Sequence, residues 1–449
     1  MSIDELRTRV AADMPRTIAE LERLVRIPSM GYPGYDPANV RASAEATREI
    51  LVGAGFAGAH LLELDGGHPA VFGEIPGPEG APTVLLYAHH DVQPEGPIEQ
   101  WDSAPFEPEV RDGRLYGRGA ADDKSGIVIH AAALRSLAGD VPITVKVLVE
   151  GEEECSTAHL PDLVRGHADL IRADVAVIAD SGNYRTGVPT ITSSIRGVTD
   201  CVVTVRVLHQ AQHSGSFGGP IPDAIVALAR IISRLHDDDG NVMIPGLHRF
   251  PWEGAAYPED ELLDDAGAIA GLRLIGSGPI ADRVWAGPAV DILGIDAPAI
   301  HGSSNQIVPV ARARVSLRLA PGDDPVAATE KLAGFLRDAA PWGVEVDVHA
   351  GAFDAGAGYL VDTSAPAVRA ARGALSAAFE REVVEIGSGG SIPLVPMLAE
   401  TFPGIAVLMW GAMDERSNIH SVNESVDLGE IERMAVAEAL FIGGLADGA

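Results

Sequence analysis

Apolar residues recur along this chain in two rhythms. Leu6, Val10, Met14, Ile18, Leu21 and Val25 fall at helical spacing through residues 5–27, and Pro28 closes the run. Unbroken apolar stretches follow: TVLLYA (83–88), ITVKVLVE (143–150) and VAVIA (175–179), each bounded by turn-forming or acidic residues. Their length and continuity predict strands buried on both faces. The segment Ser125–Leu137 between the first two predicts a helix. Strands alternating with helices predict an α/β domain around a mostly parallel sheet, with its chemistry on loops at the carboxyl ends of the strands.

The pattern changes near Arg196-Gly197. TDCVVTVRVLH (199–209) and ARARVSLRLAP (311–321) alternate apolar with polar residues, as half-solvated strands do. PDAIVALARIISRLH (222–236) and PVAATEKLAGFLRDAA (325–340) are amphipathic helices, and GVEVDVHAG (343–351) is a further strand. These units predict a smaller α+β domain over 195–352, inserted into a catalytic domain made of 1–194 and 353–449. The Gly-, Pro- and Asp-rich stretch 237–300 reads as a long excursion within the insert. A helix resumes near 364 (APAVRAARGALSAAF) and the α/β pattern runs to the end.

Charge narrows the partners. The 449 residues carry 33 Lys+Arg against 64 Asp+Glu, a formal net charge of −31. Such a surface repels nucleic-acid phosphates and anionic membranes, though a halophilic habitat would explain it with no functional meaning. Two cysteines, Cys155 and Cys201, support neither a disulfide framework nor a thiolate metal site. MSIDELRTRV has no signal-peptide core, and no apolar run approaches the ~20 residues of a membrane helix. The expectation is a soluble, cytoplasmic protein.

Five segments place hard ligands after predicted strands. AHHDVQP offers His89, with Asp91 two residues on to hold the other ring nitrogen, while His90 faces away. YGRGAADDKSG puts Asp122 at the start of the next helix, where its two oxygens can bridge two cations or where Asp122 or Asp123 merely caps the helix. VEGEEECST ends a strand in three glutamates that repel one another unless cations or protons compensate; one can ligate while its neighbour serves as a general base. Asp180 ends VAVIAD, and His420 lies in NIHSVNESV beyond the apolar GIAVLMW. A cap, an acidic turn or a satisfied polar group explains each one singly. Together they supply two imidazoles and a set of carboxylates without thiolate, which suits two Zn²⁺ ions, with Mn²⁺ or Co²⁺ as substitutes.

With these motifs in order along nearly its whole length, the chain resembles the co-catalytic zinc metallopeptidases: carnosinase-like dipeptidases, aminoacylases and succinyl-diaminopimelate desuccinylase. The dipeptidase branch is the most similar. The resemblance implies a peptidase domain with an inserted lid and dimerisation domain, a homodimer, two zinc ions per subunit and a small peptide substrate. It implies that His89 and Asp180 hold one ion, Glu154 and His420 the other, and Asp122 both, with Asp91 orienting His89 and Glu153 as general base. It further implies a cis peptide between Asp122 and Asp123. In AQHSGSFGG it points to His213, reaching across the dimer to the scissile carbonyl. In VSLRLAP it points to Arg318 for the substrate carboxylate, with Asn305 nearby and the SGGSIP loop (Gly389, Gly390, Ser391) holding the substrate backbone. Carnosinases usually carry Arg-Glu just before that loop, where this chain has Gly387-Ser388, so side-chain preference is left open. Asp at 180 favours a dipeptidase over a deacylase or carboxypeptidase using the same metal site. A non-catalytic binding protein on this scaffold is the alternative of another class, disfavoured because every ligand, base and orienting position is filled.

Overall fold

The computed structural model describes residues 1–350 and 355–446. The chain divides into two compact units, Met1–Ser193 with Val361–Ile386 and Pro393–Ala449, and Ser194–Leu360 with Gly387–Ile392. The expected end of the insert at 352 falls outside the described residues, as does the last residue of the strand expected over 343–351.

The first unit is built on a six-stranded sheet. Its order is His60–Leu62, Ala70–Ile75, Thr144–Glu150, Thr83–His89, Val175–Ile178 and Ala406–Met409. The last four run parallel and the first two pair antiparallel. This is the α/β class with a central, mostly parallel sheet that the apolar runs predict. Leu85, Leu86, Tyr87 and Ala88 are fully buried, as are Val147, Leu148 and Val149 beside them. Burying each Leu or Val side chain is worth about 1.5–3 kcal/mol, so the apolar run itself pins these strands at the centre of the sheet.

Register then fixes the site. His89 stands opposite Glu150, and Tyr87 lies opposite both Leu148 and Ile178. Three strands therefore reach their carboxyl ends at one level, and the segments that follow, 89–91, 151–154 and 179–180, start there together. The helices Ile3–Val25, Lys124–Ser136 and Leu428–Leu445 pack on one another. The first begins with a Ser2–Glu5 capping box and ends at Val25, short of Pro28. Buried Lys124 donates from Nζ to the carbonyls of Leu24 (2.9 Å) and Ile27 (2.9 Å), closing that helix end. Burial pulls its ammonium down to about 7.

The second unit carries a four-stranded antiparallel sheet in the order Ala289–Asp296, Val310–Leu319, Gly197–Arg206, Glu345–Ala350. Helices Ala224–Ser233 and Pro325–Asp338 cover it, burying Leu228, Ile231, Leu332 and Leu336 with Val203, Val205, Val315 and Leu317. The stretch 237–300 is more ordered than an excursion. It holds the helices Glu259–Asp265 and Ile280–Trp285 and the eight-residue edge strand Ala289–Asp296. That strand was not legible because it pairs on one side only and leaves Leu293 and Ile295 exposed, so AVDILGID shows no clean alternation.

Candidate active site

The first unit gathers His89, Asp122, Glu153, Glu154, Asp180 and His420. Donor atoms of His89, Asp122 and Glu154 lie within 4.8 Å of one another, and so do those of His89, Glu153 and Asp180. His89 is fully buried at the end of its strand. Its Nδ1 lies 3.1 Å from the Asp91 carbonyl and 3.5 Å from Asp91 Oδ1. An Nδ1–H donated to that carbonyl leaves the Nε2 lone pair facing Asp122 Oδ1 at 3.0 Å. Two acceptors at that distance require a cation between them, a proton or a metal ion. The second Asp122 oxygen lies 3.1 Å from His420 Nε2, which is also 3.2 Å from Glu154 Oε2. Asp122 thus turns one oxygen to each imidazole. The peptide Asp122-Asp123 is cis. The helix-cap alternative for these two aspartates does not hold: Asp123 occupies the N-cap of Lys124–Ser136 without capping it.

Asp91 does more than face His89. Its Oδ1 accepts the amide of Glu153 (3.2 Å) and its Oδ2 that of Glu154 (3.1 Å). One carboxylate therefore ties the end of strand Thr83–His89 to the turn after strand Thr144–Glu150. His90 points away, its Nε2 2.9 Å from the Pro69 carbonyl. Burial pulls His90 down to about 4, so it stays neutral.

The charges show what the cluster lacks. Burial and the neighbouring carboxylates, Asp180 foremost, push Glu153 well above the usual range. Burial and Asp122 push Asp180 up to about 7, and the same two causes raise Glu154. Asp122, flanked by two imidazoles, is held below the usual range despite its burial. His420 is drawn up to about 11 by Asp122 and Glu154, against its own desolvation. This many carboxylates at one buried point are stable only with protons or with a multiply charged cation. The donor set of imidazole and carboxylate without thiolate fits Zn²⁺, Mn²⁺ or Co²⁺.

Several supporting residues were not singled out from the sequence. Gln93, inside the HHDVQP motif, donates from Nε2 to Glu154 Oε2 (2.7 Å). The Tyr32 hydroxyl donates to the Glu154 carbonyl. Fully buried Glu424 accepts four bonds: from the amides of Ala121 (2.9 Å) and Asp122 (3.1 Å) on Oε1, and from the Gly119 amide (3.0 Å) and Arg118 (2.8 Å) on Oε2. Glu424 is the anchor of the backbone that presents Asp122. Its only sequence signal is its place four residues after His420. Cys155 packs its sulfur against Gly31, where a Cβ would come within 2.5 Å of it.

In the second unit, His213 and Asn305 come together where Gln212–His213 pairs antiparallel with Gln306–Ile307. The Asn305 carbonyl accepts the Ser214 amide (3.0 Å). His213 Nδ1 accepts the Ser216 amide at 3.2 Å. That bond places the ring proton on Nε2, making the exposed edge of the ring a donor. Arg318 donates from a terminal nitrogen to Ser391 Oγ (3.2 Å), so the strand arginine and the Gly389–Ser391 loop meet.

A six-stranded α/β sheet with an imidazole–carboxylate cluster at its strand ends makes a candidate metal centre. The chain belongs to the peptidase family M20/M25/M40, whose pattern it matches over residues 85–443. It is 37% identical over 369 residues to the cysteinylglycine-S-conjugate dipeptidase of Corynebacterium striatum, covering 81% of each chain. It is 26% identical to the human Beta-Ala-His dipeptidase, over 80% of this chain and 74% of that one. Its fold is also that of the yeast di-peptidase Dug1p, with a TM-score of 0.85, 20% identity and 99% of both chains covered.

Proposed function

We propose that this protein is a metallo-dipeptidase that hydrolyses the peptide bond of dipeptides or very short peptides. The observation that carries the reading is the double face of Asp122, one oxygen to His89 and the other to His420, in a chain whose curated relatives are dipeptidases. His89 and Asp180 would hold one metal ion, Glu154 and His420 the second, and Asp122 both. Two zinc ions, or manganese or cobalt in their place, would supply an acidified water and an electrophile for the carbonyl.

The chain's own residues do the rest. Asp91 holds the His89 ring in one tautomer and keeps Glu153 and Glu154 in step. Glu153, half-buried beside Asp180, takes a proton from the attacking water and returns it to the leaving amine. His213 donates from Nε2 to the developing oxyanion, acting from the second subunit of a homodimer. Arg318 binds the terminal carboxylate, while Gly389, Gly390 and Ser391, with Asn305, hold the substrate backbone. Location in the cytoplasm fits the reading, and no helix among the described residues is long and apolar enough to cross a membrane.

The deciding experiment compares hydrolysis of a small dipeptide with that of its N-acetyl form on metal-loaded protein. Strong preference for the free amine is expected. Equal or better cleavage of the acylated form would replace this reading with the deacylase, and Asp180 would then not mark a dipeptidase.

A further inference from the structure

Two arginines meet at the Gly389–Ser391 loop, and only one has a part in the reading above. Arg196 is buried, 9% exposed, at the entry to strand Gly197–Arg206. Its backbone is stitched to the loop: its amide donates to the Ser388 carbonyl (3.2 Å) and its carbonyl accepts from Ser391 Oγ (2.7 Å). Its Nε donates to the Gly389 carbonyl at 3.2 Å. A Cβ on Gly389 would lie 2.9 Å from an Arg196 terminal nitrogen, so the missing side chain is what lets the guanidinium lie against the loop. Ser391 Oγ is the hinge of the arrangement, accepting from Arg318 while donating to Arg196.

Among the described residues neither guanidinium has a carboxylate partner at ion-pair distance, and each gives only one hydrogen bond to protein, leaving most of its five N–H groups open. The two positive charges are close enough that burial and Arg318 together lower Arg196 to about 10. Among the described residues, the one acidic side chain whose field reaches both is Asp291, on the exposed edge strand. Two like charges side by side, Arg196 buried and Arg318 half-buried, are costly unless an anion completes them. Among the described residues, two guanidiniums against one exposed carboxylate leave the group short of about one negative charge. A planar carboxylate fits that deficit and the fork geometry of arginine.

We propose that Arg196 is a second carboxylate-binding residue, so that the substrate's terminal carboxylate is gripped by Arg196 and Arg318 together across Ser391. This rests on the dipeptidase reading and on the part given there to Arg318, and it adds a second, specificity-determining residue to the recognition of a free terminal carboxylate over an amide. Gly389 and Ser391 serve the grip by letting Arg196 approach and by setting the spacing of the pair.

The test separates binding from turnover. On metal-loaded Glu153→Gln protein, calorimetry gives Kd for alanyl-alanine and for alanyl-alanine amide, with and without Arg196→Met, Arg196→Lys or Gly389→Ala. The free acid should bind more tightly, and Arg196→Met should weaken the acid by roughly 10- to 100-fold while barely moving the amide. Arg196→Lys should recover part of the loss. Gly389→Ala, which keeps both arginine side chains but crowds Arg196 away from the loop, should lower the acid-to-amide ratio in the same direction. Equal losses on acid and amide, or an unchanged acid-to-amide ratio in both Arg196→Met and Gly389→Ala, would overturn the proposal. Turnover of alanyl-alanine by the Glu153 enzyme is read in parallel. Selective acid binding without turnover would sink the dipeptidase reading and leave the carboxylate grip standing.

Discussion

Replacing Glu424 by Gln tests whether the metal site depends on an anchor that touches no metal ion. Glutamine keeps one acceptor oxygen where the carboxylate has two, each serving two donors. In the better rotamer the carbonyl still faces the Ala121 and Asp122 amides. An NH₂ group then faces Arg118 and the Gly119 amide. Arg118 is 2% exposed, and its other hydrogen bond goes to the Pro94 carbonyl at 3.1 Å. Removing one partner of a buried pair costs about 3–5 kcal/mol, and the orphaned amide costs about 1–3 kcal/mol in part already counted, since the two act as one network. A loss of about 3–5 kcal/mol is expected from a typical total of about 5–15 kcal/mol. The freed backbone carries Asp122, so metal affinity should fall by roughly 10- to 100-fold, the usual cost of losing a supporting partner. Urea unfolding of the metal-free protein reads the first effect, and zinc competition with a chelator the second. Exposed Glu79→Gln is the control. A change below about 1 kcal/mol in stability together with unaltered zinc affinity would refute the reasoning.

Glu153→Gln should keep its metal content and lose activity by about 10²- to 10⁴-fold; loss of metal instead would make Glu153 a ligand, as its closeness to His89 and Asp180 permits. His213→Ala should lower kcat by about 10²- to 10³-fold, and mixing it with Glu153→Gln should restore activity through hybrid dimers. No recovery on mixing, or an active monomer in sedimentation, would rule out action between subunits. His130 is buried 2.9 Å from Glu438, which holds its pKa above 6.5 against desolvation. The imidazolium is therefore favoured by folding. The stabilisation is complete below the unfolded pKa of about 6.5 and is lost as pH rises through the folded value. The stability gap between wild type and His130→Gln, measured in urea on metal-free protein, should shrink as pH rises from 6 towards 9. A gap that widens would reverse the sign and sink the assignment.

The parallel core was legible because burial on both faces writes itself as an unbroken apolar run, and the strand ends then told where loops carrying chemistry begin. The residues His89, Glu153, Glu154, Asp180 and His420 could be marked because each follows such a run. Asp122 was marked by the glycine-rich segment that places it at the start of a helix. Glu424, Gln93, Tyr32 and Arg196 were not. Their work is to accept from or donate to backbone and ligands brought close only by folding, and a glutamate that caps a loop about 300 residues away looks like any other glutamate. The strand Ala289–Asp296 was missed for the opposite reason, since an edge strand with exposed apolar residues has no periodic signature to read.

The placement of Asp122 between two histidines has a consequence for the order in which the protein is made. His89, Asp122, Glu153, Glu154 and Asp180 all precede residue 194, where the second unit begins, while His420 follows its last segment. The cluster of His89, Glu153 and Asp180 can form on the ribosome once the first three parallel strands have emerged. The imidazole on the other side of Asp122 arrives about 240 residues later, roughly 12–48 s at about 5–20 residues per second. During that interval the nascent chain carries a half-built pocket dense in unpaired carboxylates. A cation captured early would neutralise it, and the edge at Val175–Ile178 waits almost as long for the strand Ala406–Met409 that covers it.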